Sequence, residues 1–159
     1  MSNESYIEDK KLKQNHLLEQ YKLYVEMADK VSSRRNLSNV FFLTLHTTIF
    51  TIIGFVLEKI ELVNPKYLLL IPLTAIIILC ISWWIILKSY RNLNSAKFST
   101  IKELEKMLPV SPYAEMEWIK LGEGKDIKKY IPLTVLERWV PLIFAFLYFF
   151  LGTYLIFFQ

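Results

Sequence analysis

Three long apolar runs alternate with charged segments along the chain. The runs are 40–57, 67–87 and 139–158, and each of them holds almost no charged residue. A helix needs about 20 apolar residues to cross about 30 Å of hydrocarbon, and each run meets that length or falls just short of it. The pattern therefore predicts an all-α integral membrane protein with three transmembrane helices.

The first charged segment carries a second pattern, in which apolar or small residues recur at spacings of four and three. This stripe covers one face of a helix and indicates a partner for that face. No proline or glycine separates Arg34 from Val40, so we expect the helix to continue into the first apolar run. The stripe is our candidate oligomer contact and consists of Leu17, Tyr21, Tyr24, Ala28 and Val31.

The second charged segment opens with a similar stripe, which Pro109 ends because proline cannot continue a helix. The two stripes either pack against each other within one subunit or form contacts between the protomers of a homo-oligomeric ring. A helix lying on the membrane surface is a third alternative. The members of the second stripe are Tyr90, Leu93, Lys97, Ile101, Leu104 and Leu108.

The same patterns divide the chain into four parts. We expect a cytoplasmic amphipathic helix at 1–39, and transmembrane helices 1 and 2 with a short external connection (58–66) at 40–87. A cytoplasmic helix with a segment interrupted by proline and glycine follows at 88–138, and transmembrane helix 3 at 139–159. The basic cluster 125–129 is either a solvated loop near anionic headgroups or a site for a phosphorylated ligand.

The distribution of positive charge predicts the orientation of these helices. Seven lysines and arginines lie in 1–39 and ten lie in 88–138, whereas the connection 58–66 has two. The positive-inside rule then places the N-terminus and segment 88–138 in the cytoplasm. Tryptophans and charged residues at the run boundaries are candidate membrane-boundary anchors, namely Arg34, Arg35, Trp83, Trp84, Lys88, Arg91, Glu137, Arg138 and Trp139. Glu137 and Arg138 point to different faces of a helix, so we expect them to pair with other helices or with lipid headgroups and not with each other.

Composition agrees with a chain made of two kinds of segment. Hydrophobic residues make up 53% of the 159 positions and charged residues 21%, and the mean hydropathy is +0.31. This average is too apolar for a water-soluble domain. The only cysteine, Cys80, lies inside the second run, which argues against a disulfide-stabilised secreted domain. Acidic residues match the cytoplasmic basic ones, so we expect no nucleic-acid partner.

Polar side chains within the first run are the candidates for function, because each is costly in hydrocarbon. Thr44, Thr47, Thr48 and Thr51 share one face, which either packs against another helix or lines a water-filled lumen. His46 lies nearly opposite. It is either a neutral, hydrogen-bonded histidine or a pH-responsive group on an ion path, and metal binding is a weaker alternative.

Sequence motifs give no support for catalysis. The chain has no His-Glu-x-x-His, no Gly-x-Ser-x-Gly, no paired intramembrane carboxylates and no cysteine cluster. We therefore expect a protein that is not an enzyme and that has no cofactor or metal.

Six stretches, in order along most of the chain, resemble the RipA family of bacterial octameric membrane proteins. They are LEQYKLYVEMADKVSSRR (18–35), NVFFL (39–43), EWIKLGEGK (117–125), YIPL (130–133), ERWVP (137–141) and FAFLY (144–148). The resemblance implies a small protein of the bacterial inner membrane that assembles as a homo-octamer, and it implies no catalytic residue.

Two functions are compatible with these expectations. The first is a membrane scaffold or assembly factor that acts through an oligomeric cytoplasmic face. The second is an oligomeric channel or membrane-perturbing effector whose lumen is lined by the first transmembrane helix. They differ in what the ring encloses, because an apolar lumen conducts nothing whereas a threonine-lined lumen can hold water.

Overall fold

The computed structural model describes residues 3–59, 70–124 and 129–158. Its helices are α1 (Asn3–Lys59), α2 (Leu70–Glu105), α3 (Trp118–Lys120), α4 (Leu133–Glu137) and α5 (Trp139–Phe158). The described residues contain no β-strand. Five predicted features lie partly outside the described residues. They are the first two residues of segment 1–39, the external connection beyond residue 59, the first three residues of the second run, positions 125–128 of the basic cluster and residue 159 of transmembrane helix 3.

Helix α1 joins the first charged segment to the first apolar run without interruption. It spans 57 residues. No proline or glycine precedes Gly54 within it, so no helix-breaking residue interrupts it before that position. The prediction of one continuous helix is confirmed. By length and composition, three helical segments can cross a membrane, and they lie within Ile7–Phe55, Ile71–Glu105 and Val135–Phe157.

Helix α2 ends earlier than the second stripe predicts. Its last helical residue is Glu105. Two backbone hydrogen bonds with a spacing of three residues follow, from the Met107 amide to the Leu104 carbonyl and from the Leu108 amide to the Glu105 carbonyl, both 3.0 Å. Such three-residue spacing is common where a helix ends, and Pro109 lacks the amide needed to continue it. The expectation that the helix reaches Leu108 is therefore wrong.

A π-helical turn, Pro112–Glu117, follows α2 and leads directly into α3. Gly122 has a φ of 72°, which is a conformation that glycine adopts readily and that commonly ends a helix. Gly122 thus follows the short helical stretch that the π-helical turn and α3 form.

Helix α5 has the bounds predicted for the third span, Trp139–Phe158. Its Gly152 is buried against Leu73 of α2, whose side chain occupies the space that a Cβ atom at position 152 would need. The glycine thus allows a close approach between the two helices.

The chain forms two compact units, and α1 and α2 contribute residues to both. We call Met1–Ser33 with Arg91–Ile131 the polar unit, and Arg34–Tyr90 with Pro132–Gln159 the apolar unit. Each unit has its own buried side chains, and each is described separately below.

Candidate functional site

The apolar unit has a polar core built around His46 of α1. Its side chain is 0% exposed, and its ring stacks on Trp83 with centroids 5.6 Å apart and an interplanar angle of 13°. Phe144 and Tyr148 of α5 flank the ring at 5.3 and 5.7 Å. Aromatic rings from α2 and α5 therefore enclose the one histidine of the first apolar run.

Hydrogen bonds connect this core across helices. The Tyr148 hydroxyl donates to the backbone carbonyl oxygen of His46 at 3.0 Å and lies 3.4 Å from His46 Nδ1. Cys80 Sγ lies 3.9 and 3.8 Å from the two ring nitrogens of His46, so the sulfur packs against the ring as a whole and not on one nitrogen lone pair. We call His46, Cys80, Trp83 and Tyr148 the His46 cluster.

Trp83 is a predicted boundary anchor that the structure places in the protein core instead. Its side chain is 0% exposed, and it stacks on Phe42 at 5.6 Å. Its Nε1–H donates to Asn39 Oδ1 at 3.1 Å. A headgroup anchor presents its ring to the membrane interface. Trp83 instead belongs to the protein core, because its α2 face turns toward α1 and α5, and it cannot contact lipid headgroups.

The four threonines of α1 lie on an exposed face. The Thr48 hydroxyl donates to the Thr44 carbonyl at 2.8 Å, and the Thr51 hydroxyl donates to the Thr47 carbonyl at 2.9 Å. Thr47 bonds in the same way to the carbonyls of Leu43 and Thr44, at 2.5 and 3.1 Å. These hydroxyls have partners in their own helix, which lowers the cost of placing them in hydrocarbon. The choice between packing face and lumen stays a prediction.

Other predicted anchors lie as follows. Arg35 Nε is 3.2 Å from Glu137 Oε2, and both side chains are largely buried, so the two residues bridge different helices. Lys88 Nζ lies 5.3 Å above the Trp84 ring. Arg34, Arg91 and Trp139 are exposed, whereas Arg138 is half-buried. Their headgroup contacts remain predictions.

Glu105 is the central polar residue of the polar unit. It is 0% exposed, and one carboxylate oxygen accepts hydrogen bonds from the Tyr21 hydroxyl and the Tyr113 amide, both 3.0 Å. The other oxygen accepts one from the Ala114 amide at 2.9 Å. Glu105 thus pairs the first amides of the π-helical turn, which have no partner within that turn, and ties the turn to α1.

Tyr21 titrates abnormally in this arrangement. Burial, followed by the hydrogen bond to Glu105 and the negative charge of that carboxylate, raises the pKa of Tyr21 from 10.0 to about 12. All three causes disfavour a phenolate beside a carboxylate. The hydroxyl therefore remains a hydrogen-bond donor over the whole neutral range.

The predicted oligomer-contact stripe is partly used inside the protomer. Ala28 and Val31 are 3% and 7% exposed, Tyr21 bonds to Glu105, and Lys97 Nζ lies 5.6 Å above the Tyr24 ring. Ala28 and Val31 are thus largely covered within the protomer, which leaves little of either side chain for a contact with a second copy. Leu17 is half-buried, and its role in oligomer contacts stays a prediction.

A groove of about 850 Å³ opens beside Glu105 in the polar unit. Aromatic and aliphatic side chains form its walls, and acidic residues lie among its polar members. Its lining residues are Tyr21, Lys22, Val25, Glu26, Ala28, Asp29, Ser32, Phe98, Ile101, Pro112, Tyr113 and Glu117. We call it the groove of the polar unit.

Three membrane-length apolar helices and a sealed intramembrane polar core define a multi-pass α-helical membrane protein. The model of the octameric membrane protein family (8xMP) matches residues 18–157, so the chain belongs to this family and is a membrane homo-oligomer. The narrower RipA name stays a prediction. No curated protein and no solved structure matches the chain.

The sequence pattern does not identify two buried residues, Glu105 and Tyr148, as functional candidates. Glu105 looks like any other charge on a helix surface, and Tyr148 like any other aromatic residue in an apolar span. For Tyr148 the available signal is its hydroxyl at membrane depth, which needs a partner there. For Glu105 the signal was its position four residues after Ile101, on the apolar stripe itself.

Proposed function

We propose that this chain is a multi-pass protein of the bacterial inner membrane, and that its ring-shaped homo-octamer acts as a scaffold or assembly factor. In this proposal the N-terminus and the polar units lie in the cytoplasm, the boundary anchors contact lipid headgroups, and the protein catalyses no reaction. The scaffold presents the polar units to partners on one side of the membrane. Family membership supports the homo-oligomer on which the proposal depends.

The observation that carries the scaffold proposal is the sealed His46 cluster. An ion path needs polar or titratable groups that face water. His46 and Tyr148 are both 0% exposed within one protomer, and their polar atoms contact one another. They are therefore unavailable to line a lumen between protomers, which supports a protein that does not conduct.

The remaining surface of the apolar unit also supports this function. The exposed side chains of α5 are large and apolar, among them Phe146, Phe149 and Phe150. Such a face suits lipid tails or the apolar face of a neighbouring copy. A ring built from these surfaces encloses lipid more readily than water.

A channel is the second candidate function, and the exposed threonine face of α1 favours it. Thr44, Thr47, Thr48 and Thr51 all remain exposed in the protomer. If eight copies of this face met around the ring axis, hydroxyls and carbonyls would line the lumen. This arrangement could hold water.

Ion flux from liposomes distinguishes the two candidates. We expect the purified wild-type oligomer to release no more of an entrapped ion than protein-free liposomes do, at neutral and at acidic pH. Thr48→Val and His46→Ala are the matched variants, because one changes the exposed face and the other changes the sealed core. Wild-type flux that Thr48→Val reduces would establish the channel and end the scaffold proposal.

A further inference from the structure

Residues 7–16 of α1 bury no side chain within the described protomer. Every residue from Ile7 to His16 is exposed, including Ile7 at 48% and Leu12 at 53%. We call residues 7–20 the arm. An isolated helix of this length is marginal in water, and helices in proteins gain most of their stability from packing. The arm therefore needs a surface to pack on.

The groove of the polar unit is an apolar surface of matching kind. Phe98 remains 41% exposed, and its ring meets the half-buried Tyr113 edge to face at 6.0 Å. Val25 lines the groove from α1 and Pro112 from the π-helical turn. Exposed aromatic and aliphatic side chains in a groove are the usual receptor for an amphipathic helix.

The arm cannot enter the groove of its own chain. Tyr21, Val25 and Ala28 of α1 form part of the groove wall, and the arm continues the same helix upstream of Tyr21. A helix without a break cannot fold back onto its own side. An arm that occupies this groove therefore comes from a second copy.

Charge favours the same pairing. Residues 10–18 contain Lys10, Lys11 and Lys13 and no acidic residue. The groove lining contains three acidic residues and one lysine, and Lys22 already pairs with Glu19 at 2.9 Å. Acidic residues flank these lysines, and within the described part of the chain Lys13 pairs with Asp9 and Glu26 pairs with Lys30. No ion pair there involves Lys10 or Lys11 of the arm, or Asp29 or Glu117 of the groove. These unpaired charges of opposite sign attract each other and favour this direction of approach.

One face of the arm fits the groove best. At about 100° per residue, Lys10, Gln14, Leu17 and Leu18 fall within one side of the helix, which thus combines basic and aliphatic groups. Leu12 lies on the nearly opposite side. Gln14 is the centre of the docking face, and Leu12 marks the face that stays outside.

We propose that residues 10–18 of one copy lie in the groove of the polar unit of the next copy. This contact joins two different surfaces, so it is heterologous and closes into a ring when repeated through a suitable rotation. The inference rests on the homo-oligomer of the proposed function and names its contact. It assigns the assembly interface to the arm and the groove.

Disulfide trapping tests this contact in the full-length protein in its membrane. The chain carries Gln14→Cys and Val25→Cys in a Cys80→Ser background, which removes the only native cysteine. Positions 14 and 25 are separated by about 16 Å along one helix, too far for a disulfide within a chain. After mild oxidation we expect a ladder of covalent oligomers that ends at a closed ring.

Controls make each outcome decisive. Leu12→Cys with Val25→Cys should give no ladder, because position 12 lies on the outer face of the arm. Dimers from Gln14→Cys alone would show that arms pair with each other, which overturns the proposal. Absence of the ladder from a protein whose native mass is still oligomeric overturns this contact but leaves the proposed scaffold intact. A monomeric wild-type protein would instead refute the scaffold.

Charge reversal provides an independent check by native mass. Asp29→Lys with Glu117→Lys should shift the assembly toward monomers, because the groove then repels the basic arm. Adding Lys10→Glu and Lys11→Glu should restore the oligomer. If the four-residue variant stays as dissociated as the two-residue variant although both fold, the charge pairing is wrong.

Discussion

Glu105 and His46 are polar side chains that the protein buries completely, and both are tolerated for the same physical reason. A buried polar group costs free energy unless its donors and acceptors are paired. The Glu105 carboxylate accepts three hydrogen bonds, and His46 lies within reach of Tyr148 and Cys80. Each residue therefore fixes a local arrangement that apolar packing alone would leave loose.

Replacing Glu105 should loosen the polar unit. Glu105→Ala leaves the Tyr113 and Ala114 amides without their acceptor, and we expect a loss of about 2–4 kcal/mol in the free energy of unfolding. Glu105→Gln retains one acceptor oxygen and should lose less. Hydrogen exchange at the two amides reports the effect directly. Unchanged exchange in Glu105→Ala would show that the carboxylate does not hold the π-helical turn.

The hydroxyl of Tyr21 gives the polar unit a pH dependence in the alkaline range. The pKa is raised from 10.0 to about 12 in the folded protein, so the contribution to stability is fully present below pH 10 and is lost as the pH rises toward 12. Ultraviolet titration should show a phenolate that forms near pH 12 and that Tyr21→Phe removes. A Tyr21→Phe difference spectrum that titrates near pH 10 would contradict this arrangement.

Among the helices, α1 has two faces with different roles in the apolar unit, one packed and one exposed. One face places His46 among the rings of α2 and α5, and the other exposes threonines whose hydroxyls bond to the helix itself. The first face therefore holds the unit together, whereas the second is free for contacts beyond the protomer.

Thermal unfolding in mild detergent should distinguish the contributions of these two faces to stability. His46→Ala leaves a cavity among packed rings, and we expect a loss of about 2–5 kcal/mol, typical of a large side chain removed from a core. Thr48→Val keeps the shape of an exposed side chain and should change stability by less than about 1 kcal/mol. Equal losses in both variants would contradict the assignment of core and surface.

Sequence periodicity predicts single elements well in this chain and predicts contacts between elements poorly. The apolar run alone defines the bounds of α5, and the absence of breakers predicts the continuity of α1. In contrast, Tyr21 and Glu105 are 84 positions apart, and His46 and Tyr148 are 102 apart. No helical period relates such residues, so the sequence pattern predicts Trp83 as a boundary anchor and does not show that its side chain packs in the core.

At the scale of the whole molecule, orientation follows from charge and is testable by labelling. In a Cys80→Ser background, Lys11→Cys places a thiol on the exposed arm. A membrane-impermeant maleimide should label this thiol in inverted inner-membrane vesicles and not in intact spheroplasts, because we propose that the N-terminus lies in the cytoplasm. Labelling in intact spheroplasts would show that the N-terminus lies on the opposite, periplasmic side.

The proposed scaffold depends on assembly, since only a homo-oligomer would present several polar units together. The measurement that tests it most directly is the native mass of the wild-type protein extracted in its own lipids. We expect one main species at about eight times the chain mass of 18.9 kDa. A monomer in native lipid would contradict it.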